Sequence, residues 1–162
     1  MTKNTTIRLA ACFCLALTAT PVQADDNSAM VVAVRGDVTA FSESDSRPLK
    51  HGDFTPTRVK ITTAERSFTV LQFFDGSKVS LRPESSLIVE KFEYSGNESD
   101  IARLHLLNGT LKTTAGAIIA DGPERFRIRA GASEWILTGK EGKLTVCGEE
   151  ICEQMGVDEV VD

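Results

Sequence analysis

The chain is poor in the groups from which reactive centres are built. It has two histidines, one tryptophan and one tyrosine in 162 residues. A nucleophilic triad would have to use His51 or His105. His51 precedes Gly52-Asp53 in a turn sequence, and His105 alternates with Leu104 and Leu106 in an extended run. Both read as surface residues. No GxSxG elbow, HExxH, P-loop or helix-opening GxGxxG occurs, and nothing singles out two of the 23 acidic residues as a glycosidase pair. The expectation is a protein that is not an enzyme and that needs no cofactor. Helical periodicity is missing too: apolar residues are nowhere sustained at i, i+3, i+4 and i+7 over three turns. No apolar run after the N-terminus approaches the roughly 20 residues of a membrane-spanning helix.

The N-terminus has the signature of an export signal. Lys3 and Arg8 precede the short apolar run Leu9 to Thr18, Pro21 breaks it, and Val22-Gln23-Ala24 supplies small residues for cleavage. Residues 1–24 are therefore predicted to be removed after Ala24, placing the protein in the periplasm. The alternative is a lipobox at Leu9-Ala10-Ala11-Cys12, which has only Ile7 as an apolar residue upstream. Loss of Lys3 and Arg8 leaves 16 basic against 23 acidic residues, a net charge of −7. That sign argues against nucleic acid or anionic lipid as the main partner. The remaining 138 residues suit one domain, expected over 25–148, followed by an acidic C-terminal tail over 149–162. Val157 to Asp162 is alternatively an added edge strand.

Cysteine is scarce after the signal. Only Cys147 and Cys152 remain. The four residues between them suit a hairpin whose arms bring the sulfurs together, so a disulfide is predicted, with two free thiols as its main rival. Zinc would need four ligands, and distant His51 and His105 do not complete a site, so no metal is expected. A thioredoxin-type pair would need CxxC at a helix N-terminus.

What the sequence has in quantity is short strand-like runs. Phe68 to Phe92 reads as a strand, an Asp75-Gly76 turn, a second strand, a polar break from Arg82 to Ser85, and a third strand. Further runs cover Met30 to Val34, Val38 to Phe41, Thr57 to Thr62, Ala102 to Leu107, Thr110 to Thr114, Arg125 to Ala130, Trp135 to Thr138 and Lys143 to Cys147. Asn108-Gly109 between two of them is a type I′ hairpin signal. Phe41 to Pro56 and Glu93 to Asp100 read as polar loops, the second mobile at its tip. The fold class is all-β, a twisted solenoid-like or sandwich-like stack of short strands with little or no helix. Glycines recur at its corners without a strict repeat.

One row of charge stands out. Arg125, Arg127 and Arg129 alternate with Phe126 and Ile128, so one strand would carry three guanidiniums on one face and turn the apolar pair to the core. Such a row suits a carboxylate, a phosphate or an acidic partner segment. The plainer reading is a solvated face paired with glutamates across the sheet. Trp135 is either core or an exposed contact residue. Tyr94, on the acidic loop, either meets a partner or caps the strand end.

These residues together resemble the periplasmic domain of the FecR family of ferric-citrate signalling regulators. The segments that carry the resemblance are Val34-Arg35-Gly36-Asp37-Val38, Pro48-Leu49 to Gly52-Asp53, Ile61-Thr62-Thr63, the DGSxVxLxPxSxL run from Asp75 to Leu87, Leu87 to Phe92, Leu107-Asn108-Gly109-Thr110-Leu111 and Phe126-Arg127-Ile128. They span Val31 to about Ile128. The chain departs from the family at Thr138-Gly139-Lys140, where many members have Gly-Thr-x-Phe. Family regulators also have a cytoplasmic segment and one membrane helix ahead of this domain, where this chain has its signal. The resemblance implies an all-β module without catalytic activity that relays or scaffolds interactions at the cell envelope, with an envelope protein or polymer as partner. The rival expectation is a carrier or sensor that captures a small anionic ligand on Arg125, Arg127 and Arg129.

Overall fold

A computed structural model describes residues 27–148 and 150–160. The predicted signal and its cleavage site lie outside them. The described chain is all-β, as its alternating pattern implies. Its strands are β1 (Asn27–Arg35), β2 (Val38–Phe41), β3 (Ser46–Pro48), β4 (Phe54–Pro56), β5 (Lys60–Thr63), β6 (Phe68–Phe73), β7 (Lys78–Leu81), β8 (Ser86–Glu93), β9 (Ile101–Thr114), β10 (Phe126–Ala130), β11 (Ser133–Leu137), β12 (Glu141–Cys147), β13 (Glu150–Met155) and β14 (Val157–Val160). One five-residue helix, α1 (Ala117–Asp121), and a 3-10 turn over Pro123–Arg125 interrupt them. No helix among the described residues is long and apolar enough to cross a membrane.

The strands form one curled sheet, a half-barrel of two halves that share β9. One half runs β4-β1-β6-β7-β9-β12-β13, the other β3-β2-β5-β8-β9-β10-β11-β14. All of these pairings are antiparallel except β9 with β10. Both halves contribute to a single core that includes Leu71, Phe73, Leu81, Leu104, Leu106, Leu111, Phe126 and Leu144. Within a strand the burial alternates as a pleat requires: Phe126, Ile128 and Ala130 point in, and Arg127 and Arg129 point out.

The chain passes from one half to the other at corners that share a device. Gly36 follows β1 with φ of +72°, and a Cβ there would lie 2.3 Å from the Ser67 hydroxyl. The next amide, of Asp37, donates to that hydroxyl at 2.8 Å. Gly109 repeats the arrangement on Ser85: its φ is +82°, and the Thr110 amide donates to Ser85 Oγ at 2.9 Å. Glycine is required at such points because the left-handed conformation and the close backbone leave no space for a side chain.

Asn108-Gly109 therefore does not make the predicted hairpin. β9 runs unbroken for 14 residues through it. A type I′ turn needs positive φ at both central residues, and only Gly109 has it. Asn108 instead donates its side-chain amide to Glu84 O at 2.7 Å, tying the bend to the β7–β8 corner. The strand pairs β8 and β10 before the bend, and β7 and β12 after it.

Three other expectations change. The polar loop of Phe41 to Pro56 holds two short strands, β3 and β4, fastened by Arg47 to Asp53 at 3.1 Å. In the acidic loop, Asp100 is buried and its carboxylate accepts the amides of Ser95, Gly96 and Asn97 at 2.7–3.0 Å, which organises the tip. The segment read as an acidic tail from residue 149 supplies β13 and β14. Val157 is buried, in register with Leu137 of β11, so the edge-strand alternative describes this end.

Candidate functional site

The arginine row is shorter than its sequence implies. Gly122 and Pro123 start a 3-10 turn, because proline fixes φ near the helical value, and Arg125 is the last residue of that turn. It does not stand on the strand. Its nearest charged partner is the adjacent Glu124 at 4.0 Å.

Arg127 and Arg129 remain on the outer face of β10, and both are engaged. Arg127 Nη1 donates to Glu134 Oε2 at 2.8 Å, across to β11. Arg129 Nη2 donates to Glu90 on β8 and to His105 Nδ1, the latter at 3.1 Å. The parallel β9–β10 register explains this grouping: Arg127 lies opposite Arg103, and Arg129 opposite His105. Arg103 Nη1 donates to the Ala102 and Arg125 carbonyls at 3.1 and 3.0 Å. Partial burial, and then the neighbouring Arg127, push the Arg103 guanidinium below its ordinary pKa, with Glu134 opposing. Partial burial and Arg129 likewise push the His105 imidazole down, against Glu90. The downward shift favours the neutral imidazole, whose Nδ1 accepts from Arg129 Nη2 when the ring proton sits on Nε2. The face is a cross-strand network of opposite charges that stabilises a sheet.

Trp135 belongs to a different surface. It lies opposite Ile128 in the β10–β11 register, so it shares the inner face with Ile128 and turns away from the arginines. Only 5% of it is exposed, so the core reading describes it better than that of an exposed contact residue. Its indole Nε1–H has no acceptor among the described residues. Tyr94 is 38% exposed just after β8, and its hydroxyl has no hydrogen-bond partner there. The structure brings Arg127 and Arg129 together and leaves Arg125, Trp135 and Tyr94 out of that group.

Cys147 and Cys152 are joined in a disulfide, with Cα atoms 5.8 Å apart. It staples the β12–β13 hairpin near its turn. A loop this short contributes roughly 2 kcal/mol by restricting the unfolded chain.

Three surface features escape a reading by sequence. The first is the pair of free edges at the C-terminal side of the fold: among the described residues β13 has only β12 as a neighbour and β14 only β11. The second is a hollow of about 430 Å³ beside those edges, lined by Trp135, Ser133, Ile151, Glu150, Glu153 and Glu159 among others. The third is an exposed aromatic group: Phe54 and Phe74 stack with ring centres 6.3 Å apart, and Phe92 lies 6.5 Å from Phe74. Each is assembled from distant segments, so only the acidity of residues 149–162 hinted at the second. Comparison of the chain with protein-family models, with curated proteins and with solved structures gives no match.

Proposed function

We propose that the protein is an exported, non-catalytic interaction module of the periplasm that binds an envelope protein or polymer, and that it binds through its open C-terminal sheet edge. The observation that carries this reading is β13. It is six residues long, has a partner strand on one side only among the described residues, and is exposed along most of its length, with Met155 63% exposed. An unpaired edge offers backbone N–H and C=O groups to an incoming extended segment. The disulfide from Cys152, within this strand, to Cys147 of β12 ties it to its neighbour and favours the extended form that such pairing needs, at lower entropic cost on binding. The FecR resemblance and the export signal support the same reading, and the paired cysteines suit an oxidising compartment.

The alternative, capture of a small anion on the arginine face, has less support. Arg127 and Arg129 already hold Glu134 and Glu90, so an anion would have to displace two carboxylates.

A photo-crosslinking residue placed at Met155 tests the proposal in intact cells. A discrete crosslinked species is expected from Met155 and none from the exposed Glu43 or Ser44 between β2 and β3. Equal yields from both regions, or a product from neither, would count against the edge as the binding surface.

A further inference from the structure

The turn between β10 and β11 separates two hollows. One is the 430 Å³ hollow described above. The other, of about 370 Å³, is lined by Leu106, Leu107, Val146 and His105, and shares Gly131 and Ala132 of the turn with the first. Among the described residues, the first has three carboxylates and no basic residue in its lining. Glu153 is paired with Lys143, Glu159 accepts the Ser133 hydroxyl, and Glu150 has no ion-pair partner among the described residues. Trp135 is part of the wall and is itself nine-tenths buried; its indole Nε1–H is buried too, without an acceptor among the described residues. Glu159 stands opposite Trp135 in the β11–β14 register, so both belong to the inner face where the sheet opens. The second hollow is mostly apolar, with Leu107 36% exposed.

We infer that the two hollows form one receptor for an extended, basic segment of a partner protein, with cationic side chains at Glu150, Glu153 and Glu159 and an apolar side chain on Leu107 and Val146. This rests on the edge-binding reading above and names the partner's chemistry. The surfaces are complementary to such a segment. Acidic walls attract a cation and repel an acidic chain. The free edges of β13 and β14 favour extended backbone, and the neighbouring apolar hollow gives an anchor that a bare cation would not use.

Trp135 is the only tryptophan, so its fluorescence reports occupancy directly. The probe is a six-residue peptide alternating lysine and valine, capped at both ends. Titration is expected to give a saturable change in Trp135 emission that weakens at raised salt, as exposed charge pairs do. The triple variant Glu150→Gln, Glu153→Gln, Glu159→Gln should bind at least about tenfold more weakly, a loss of about 1.4 kcal/mol. All three side chains are exposed, and an unchanged melting midpoint verifies that the variant is folded. A glutamate–valine peptide should leave the emission unchanged. The inference is overturned if the acidic peptide binds equally, if the triple variant binds as well as the parent, if capped lysine alone matches the peptide, or if no peptide gives a saturable signal. Should the lysine–valine peptide fail while Met155 still crosslinks a partner, the edge reading stands and the basic-segment inference falls.

Discussion

Replacing Gly109 by alanine is expected to destabilise the protein by about 3 kcal/mol. Two effects add. A non-glycine residue in the left-handed region costs about 1–2 kcal/mol, and Gly109 has a φ of +82°. Forcing atoms into a packed site costs about 1–3 kcal/mol more. The new Cβ would lie 2.2 Å from Ser85 Oγ, 2.6 Å from Ser85 Cα and 2.7 Å from Glu84 O. The last two are backbone, so the β7–β8 corner would have to move. Gly76 is the control: its φ is +85° and nothing lies within 4 Å of its Cβ position. Gly76→Ala should show the conformational cost alone. Urea unfolding of the two variants separates the terms, and equal losses would mean that the Ser85 corner does not press on β9.

The second large effect is expected from removing residues 157–162. That deletion takes away β14, whose four residues pair with β11 from Glu134 to Leu137. Val157 is buried, and its Cγ1 lies 2.8 Å from where a Cβ on Gly142 would stand, so β14 closes over the β11–β12 junction. Burying a valine stabilises by about 1.5 kcal/mol or more, and each ladder hydrogen bond adds about 1 kcal/mol net. Exposure of Leu137 and Trp135 adds to the loss. After the entropy of ordering the segment is subtracted, a drop of about 3 kcal/mol in unfolding free energy is expected. A truncated protein within about 0.5 kcal/mol of the parent, the spread of ordinary surface changes, would identify residues 157–162 as an appendage.

The two predictions mark where local pattern reaches its limit. Phe68 to Phe92 was legible because its alternation and its Asp75-Gly76 turn are decided within a few residues. The turn is closed by Asp75 Oδ1, which accepts the Ser77 amide at 3.0 Å and hydroxyl at 2.6 Å. The inward set of β10 was legible for the same reason. Asn108-Gly109 misled because the dipeptide serves both a hairpin and a bend, and the choice lies with Ser85, which is distant in sequence. β3 escaped notice because all three of its residues are exposed, so it has no inward face to betray it. β13 has a single half-buried residue, Ile151, and its glutamates give it the composition of a solvated tail.

The charged face follows the same division. The alternation of Arg127 and Arg129 is local, but Glu90 lies 39 positions and His105 lies 24 positions from Arg129. Which carboxylate neutralises which guanidinium is settled by the β8–β9, β9–β10 and β10–β11 pairings together, of which the first two join segments distant in sequence. The hollow by Trp135 needs β10, β11, β13 and β14 in place before it exists.

The account depends most on β9 as one continuous strand that belongs to both halves of the sheet and joins their core. Amide hydrogen exchange measures this residue by residue, since core strands open only with the whole molecule. Leu104, Leu106, Thr110, Leu111 and Thr113 should exchange together, at the rate set by global unfolding, with Thr110 as slow as its neighbours. Fast exchange at Thr110, with separate opening of the segments on either side, would contradict the account and restore the hairpin.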